Sequence, residues 1–283
     1  MVPILIVGMA RSGTTLVSHI IGSLPDVHIE VEPHALWKSG NFKYFNDEEY
    51  DITSTIVNNL RNKFLKNIGD KIFVEKSPVN CLRPQLVHAV FPEAKILYIE
   101  RDPIRCIYSN YKRSLKNDSF KLSIAVKKYF IYAGSKDLPG AISNRKIFQQ
   151  VTFSDLPEVL LYSIKMLYLR QFNTLPFGPK LKHFMQIVKD KGLLGYHVEV
   201  YQRALSYRQN FIELYGDNLE VFSMENIMAD PNEIKRMIEF IEMPYSLQWL
   251  QRIRNTFDEE RVARSNITNA IDKQIEELLI NAY

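Results

Sequence analysis

Residues 4–15 read ILIVGMARSGTT, and this stretch decides the fold. Ile4-Leu5-Ile6-Val7 is an unbroken, largely β-branched apolar run, the pattern of a strand buried on both faces of a parallel sheet. Pro3 stands at its start, where a missing N–H does little harm. Gly8 to Gly13 forms a tight turn of small residues that also carries Arg11. From Thr14 the pattern turns helical, with Leu16, Val17, Ile20 and Ile21 on one stripe. A strand, a glycine-bounded loop and a helix N-terminus in that order make a cradle for an anion. Free backbone N–H groups and the positive end of the helix dipole meet at one point. Read apart from that order, Gly8 and Gly13 are ordinary loop glycines.

The spacing is nearly that of the nucleoside-triphosphate loop G-x-x-x-x-G-K-[ST]. Gly8, Gly13 and Thr15 fit, but Thr14 stands where the lysine belongs. That lysine reaches the β- and γ-phosphates, so a loop without it suits a ligand with less charge to neutralise there. Arg11 supplies a cation from another direction.

Composition narrows the class. A chain of 283 residues, 46% apolar and 24% charged, reads as one globular α/β domain spanning 1–283. A net charge of +4 without a block of like charges suits a site for a small anion and does not call for nucleic acid. Cys81 and Cys106 form neither a disulfide framework nor a metal-ligand spacing and read as buried thiols. The first core strand begins at residue 4, and no stretch holds 18 consecutive apolar residues, so the expectation is a cytoplasmic chain without a membrane span.

Further along, Val27–Val31 alternates as a second strand ending at Glu32-Pro33-His34. Pro33 predicts an extended conformation for Glu32, with its carboxylate at the ligand-binding edge of the sheet. Residues 37–51 read as an aromatic and polar loop over the site, and 52–65 as a helix with Ile56, Leu60 and Leu65 inward. Residues 71–74 and 95–99 read as strands, and 86–91 as part of a helix between them. Asp102 caps a helix that opens on Pro103 and runs to Leu115. Residues 116–190 read as a mostly helical insertion on the acceptor side, with helices near 122–132 and 157–171. A long helix over 195–215, a strand over 219–222, and helices over 232–241, 246–256 and 269–281 complete the chain. The expected fold is three-layered α/β and P-loop-like: a central, mainly parallel sheet flanked by helices, with a helical insertion.

A second anion site is written in RDPIRCIYSNYKR, residues 101–113. Arg105, Ser109 and Arg113 are four apart and share a helix face, while Arg101 ends the preceding strand. Arginines and a hydroxyl aimed one way make a fork for a phosphate. Taken singly, Arg105 and Arg113 are surface residues.

RSGTT after a buried strand resembles the 5′-phosphosulfate loop of sulfotransferases that use 3′-phosphoadenosine 5′-phosphosulfate (PAPS). An arginine after a strand with a serine eight residues on is similar to the family's 3′-phosphate motif, and a basic residue twelve on, as in the protein-tyrosine branch, corresponds to Arg113. The stretches EPH, VEKSP and LEVFSMENIMADP are also similar to family segments; residues 116–190 match little, and the glycine-rich adenine loop of the cytosolic branch is missing. The resemblance implies that Arg11, Ser12, Gly13, Thr14 and Thr15 hold the 5′-phosphosulfate, and that Arg101, Ser109 and Arg113 hold the 3′-phosphate. It implies Glu32 as general base and Lys76 as the cation on the transferring sulfuryl group, with a hydroxyl-bearing acceptor and no metal.

Each assignment has a plainer rival. Glu32 could be a strand-end carboxylate paired with an arginine, His34 the base in its place, and Lys76 an exposed loop lysine paired with Glu75. Glu225 reads as a packing or capping residue. The chain as a whole could be a kinase or NTPase with a degenerate loop, Thr15 holding Mg²⁺, or a non-catalytic polyanion-binding module.

Overall fold

The computed structural model describes residues 2–66, 68–115, 141–142, 151, 153–171, 175–253 and 270–280. In chain order the elements are β1 (Ile4–Val7), α1 (Thr14–Gly22), β2 (Val27–Val31), α2 (His34–Trp37), α3 (Ser54–Leu65), β3 (Ile72–Lys76), α4 (Pro84–Val90), β4 (Lys95–Glu100), α5 (Pro103–Leu115), β5 (Ala141–Ile142), α6 (Leu156–Gln171), α7 (Phe184–Tyr215) and β6 (Leu219–Ser223). Helices Met224–Ala229, Pro231–Phe240 and Ala270–Ile280 follow.

All six strands lie in one sheet, in the order β5-β2-β3-β1-β4-β6, and every pairing is parallel. Ile4, Leu5, Ile6 and Val7 are all buried because β1 is central and helices cover both faces. One layer packs α2, α3, α4 and α7 against Leu5, Val7, Phe73, Ile96 and Tyr98. The other packs α1 and the helices Met224–Ala229 and Pro231–Phe240 against Ile4, Ile6, Ile29, Val74, Leu97 and Phe222, while Ala270–Ile280 packs against α5 and α7. The parallel arrangement sends the carboxyl ends of β1 to β4 to one edge, where open α/β sheets bind ligands.

The strand-loop-helix opening, β2 and α5 have the bounds expected from sequence. β3 runs two residues further than expected, so Lys76 ends a strand instead of sitting in a loop. Trp37 is not part of a loop over the site; it closes α2 and is fully buried. On α3 Leu60 and Phe64 are buried and Ile56 packs against the same core, whereas Leu65 is exposed. The segment read as a helical insertion supplies α6, and it also supplies β5, which pairs with β2 at the sheet's edge. The helix expected near 122–132 lies outside the described residues. α7 begins at Phe184, eleven residues early, and is broken at Gly192, whose φ of 69° and ψ of 177° no helix accommodates.

His197 on α7 is buried, with Nε2 2.8 Å from Ser114 Oγ, which in turn accepts from Phe177 N at 2.9 Å. Burial pushes its pKa from 6.5 down to about 4. The native ring stays neutral while the unfolded one takes up a proton, so this stabilisation is present above 6.5 and is lost as pH falls toward 4. The expected loss is about 3 kcal/mol. Urea titrations of the intact protein and His197→Gln across that window measure it, and parallel pH profiles would refute it. Glu75 acts with the opposite sign, so only the difference between the two proteins isolates His197.

Candidate active site

The loop between β1 and α1 is shaped by its backbone. Gly8 has a φ of 156°, and a Cβ there would meet Ile99 O at 2.4 Å, because the loop passes over the end of β4. Gly13 has a φ of 104°, and its Cβ would lie 2.3 Å from Met224 Sδ. Arg11 also has a positive φ, 70°, a conformation uncommon outside glycine. Gly13 is the N-cap of α1 and offers no side chain, so the first-turn N–H groups are left for a ligand. Ser12 is buried, and its Oγ has no hydrogen-bond partner among the described residues. An orphaned hydroxyl beside unfilled amides fits an anionic oxygen ligand.

At the end of β4, Asp102 accepts from Arg105 N at 2.9 Å and Pro103 opens α5, as expected. Arg11 Nε donates to Ser109 Oγ at 2.9 Å, and Arg101 Nη1 donates to Arg11 O at 3.0 Å. The loop and the start of α5, each expected to hold a phosphate, are therefore in contact through Arg11. Arg113 extends toward Phe177, with its guanidinium 5.8 Å from the ring, and Arg105 is exposed. Arg11 thus joins Ser109 and Arg101, reaching Ser109 with its guanidinium and Arg101 with its carbonyl. Sequence spacing along α5 could not reveal this, because Arg11 arrives from 98 residues away. Glu225 ties the turn after β6 to this corner, accepting from Asp102 N at 3.2 Å. A cleft beside Ser12 and Arg101 is lined by Met9, Tyr98, Cys106 and Tyr201.

Glu32 and Lys76 meet at the ends of β2 and β3. Lys76 Nζ lies 2.6 Å from Glu32 Oε1 and donates to Thr15 Oγ1 at 2.9 Å. The lysine side chain is 1% exposed, which rules out the exposed loop lysine. Thr14 is buried, and Thr15 is exposed apart from this bond. Glu32 is not extended as Pro33 predicted; its φ is 53°. Its N–H is held by Lys76 O at 2.7 Å, and its carbonyl accepts from His34 N at 2.7 Å. With Pro33 at φ −74°, ψ 60°, that second bond closes an inverse γ-turn. The turn brings the carboxylate back to Lys76 at the sheet edge.

His34 Nε2 lies 3.6 Å from Glu32 Oε2, so the rival base is the neighbour of the first. Burial alone raises the Glu32 pKa, but the His34 hydrogen bond and the Lys76 charge outweigh it and hold the carboxyl well below the usual range. Glu75 points to the opposite face from Lys76. Its Oε1 accepts from Trp37 Nε1 at 2.8 Å and its Oε2 from Asn80 Nδ2 at 2.9 Å. Full burial pushes its pKa up to about 7. Nothing in the sequence pattern singled out Trp37, Asn80 or Arg83.

Residues 3–135 match the model of the sulfotransferase family. No curated protein matches the chain. Solved structures with similar architecture include the sulfotransferase domain from the curacin biosynthetic pathway, 11% identical over 99% of this chain and 98% of that one, with a TM-score of 0.48. Sulfotransferase STF9 from Mycobacterium avium is 13% identical over 99% of this chain and 75% of its own, with a TM-score of 0.47. Mouse sulfotransferase SULT7A1, complexed with PAP, is 14% identical over 95% of this chain and 68% of its own, with a TM-score of 0.41. Among the described residues no helix is long and apolar enough to cross a membrane. The matched segment carries β1 through α5, and with them Arg11, Glu32, Lys76, Arg101 and Ser109; over this segment, a little under half of the chain, the sequence is similar to the sulfotransferase family.

Proposed function

We propose that the protein transfers the sulfuryl group of PAPS to a hydroxyl acceptor, with Glu32 as general base and Lys76 as the cation on the transferring group. The observation that carries this reading is the meeting of two sets of groups at one sheet edge. Arg11, Arg101 and Ser109 stand on one side of the loop, and Thr15, Lys76 and Glu32 on the other.

In this reading the backbone of residues 11–15 and the orphaned Ser12 hydroxyl hold the 5′-phosphate oxygens. Arg101, Ser109 and the Arg11 guanidinium hold the 3′-phosphate, and Arg113 adds longer-range charge from further along α5. The acceptor oxygen bonds to sulfur as its proton passes to the Glu32 carboxylate. The bond from sulfur to the 5′-phosphate oxygen breaks and leaves its electron pair on that oxygen, where Lys76 stabilises the charge. A carboxylate clamped by Lys76 is a weak base. When Lys76 turns to the leaving oxygen, Glu32 regains affinity for a proton at the moment one is delivered.

The test begins with binding. Adenosine 3′,5′-bisphosphate without Mg²⁺ is expected to raise the melting temperature, whereas stabilisation that requires Mg·ATP would favour the kinase reading. Arg101→Ala and Ser109→Ala are each expected to weaken that binding by about tenfold or more, the loss of a charge-assisted bond to phosphate. Calorimetric titration measures it, and unchanged affinity in both variants would remove the 3′-phosphate assignment.

A further inference from the structure

Behind the Glu32–Lys76 pair, on the other face of β3, four side chains close a ring. Trp37 Nε1 donates to Glu75 at 2.8 Å, Asn80 Nδ2 donates to Glu75 at 2.9 Å, and Arg83 Nε donates to Asn80 Oδ1 at 2.9 Å. The Arg83 guanidinium lies 5.2 Å from the Trp37 ring centroid and completes the circuit. Trp37, Glu75 and Asn80 are fully buried and Arg83 is 3% exposed.

This arrangement is costly. A buried carboxyl and guanidinium both lose hydration, and Arg83 Nη2 has no hydrogen-bond partner among the described residues. Apolar residues of similar volume would fill the same space at less cost to stability. What the ring does have is position. Glu75 and Lys76 are consecutive, so their side chains leave β3 on opposite faces. The segment from Glu32 to Trp37 is therefore fastened at both ends to neighbouring residues of one strand: Glu32 by its N–H and carboxylate to Lys76, Trp37 by its indole to Glu75. Between those two fastenings lie only Pro33, His34, Ala35 and Leu36.

We propose that the Trp37–Glu75–Asn80–Arg83 ring is a positioning device: by anchoring α2 to β3 it holds Glu32 in its left-handed turn against Lys76. Glu75 and Trp37 are positioning residues that act through Glu32 and touch no substrate. The inference rests on the reading of Glu32 and Lys76 as the reacting pair.

The decisive variant is Trp37→Phe, which keeps the ring and removes the indole N–H. In its crystal structure the Glu32–Lys76 contact, 2.6 Å in the intact protein, is expected to open beyond about 4 Å, with Glu32 leaving positive φ. Affinity for adenosine 3′,5′-bisphosphate is expected to stay within about twofold of the intact protein, because the loop and α5 are not touched. Glu75→Gln keeps an oxygen for the indole and is expected to preserve the contact. Should Trp37→Phe fail to fold, Glu75→Met, which strands no buried carboxyl, carries the same expectation. A closed contact with Glu32 still left-handed in the variant that folds would overturn the proposal. If the intact protein does not bind adenosine 3′,5′-bisphosphate, the donor assignment fails, and the crystallographic comparison still decides the role of the ring.

Discussion

Lys76→Met is expected to lower the rate of sulfuryl transfer by about 10²–10³-fold, the usual cost of removing one preorganised group from developing negative charge. The side chain is 1% exposed and hydrogen-bonded to Thr15 Oγ1, so its ammonium is already dehydrated and aimed before any ligand arrives. Methionine fills nearly the same volume without charge. The loss of stability should be modest beside the loss of rate, because the partner carboxylate, 42% exposed, can be taken over by water. Turnover of PAPS and urea unfolding, measured on the same preparation, separate the two effects. A variant that turns over normally would show that Lys76 is only a structural partner of Glu32. The acid limb of stability offers a second reading. Glu32 with its depressed pKa adds stability above its unfolded pKa that disappears as pH falls, and this contribution should shrink without Lys76.

Glu32→Ala is expected to reduce turnover by about 10²–10⁴-fold, the range for loss of a positioned general base. Donor affinity should survive, since the groups assigned to the two phosphates come from the loop, β4 and α5. Single-turnover rates and adenosine 3′,5′-bisphosphate affinity give the two quantities separately, and near-normal turnover would transfer the role to His34, whose Nε2 is 3.6 Å away. Glu32→Gly adds a control for the backbone. Glycine accepts a φ of 53° freely, so it should be more stable than Glu32→Ala by about 1 kcal/mol while equally slow.

The architecture was legible because its signals are local. Four consecutive apolar residues fix β1, the glycines fix the loop, and Asp102-Pro103 fixes the start of α5. Candidate residues could be named from the sequence, but not their arrangement. Pro33 argued for an extended Glu32, and two tertiary bonds to Lys76, with the γ-turn they permit, overrode that preference. Helical spacing puts Arg105, Ser109 and Arg113 on one face but gives no sign that Arg11 reaches Ser109. Trp37 looked like a loop aromatic because nothing in its neighbourhood announces that its indole meets Glu75. Each miss concerns a contact between residues distant in sequence, which no periodicity encodes.

The bond from Lys76 to Thr15 has one more consequence. Loops that grip nucleoside triphosphates carry their lysine within the loop itself, at the place Thr14 fills here. In this protein the ammonium is delivered from an adjacent strand, whose pairing puts Lys76 level with Ile6 and Val31. Grafting a lysine at 14 would therefore crowd two like charges around one hydroxyl instead of converting the donor preference. A single-residue slip in how β3 pairs with its neighbours would do more damage to the chemistry than most changes within the loop.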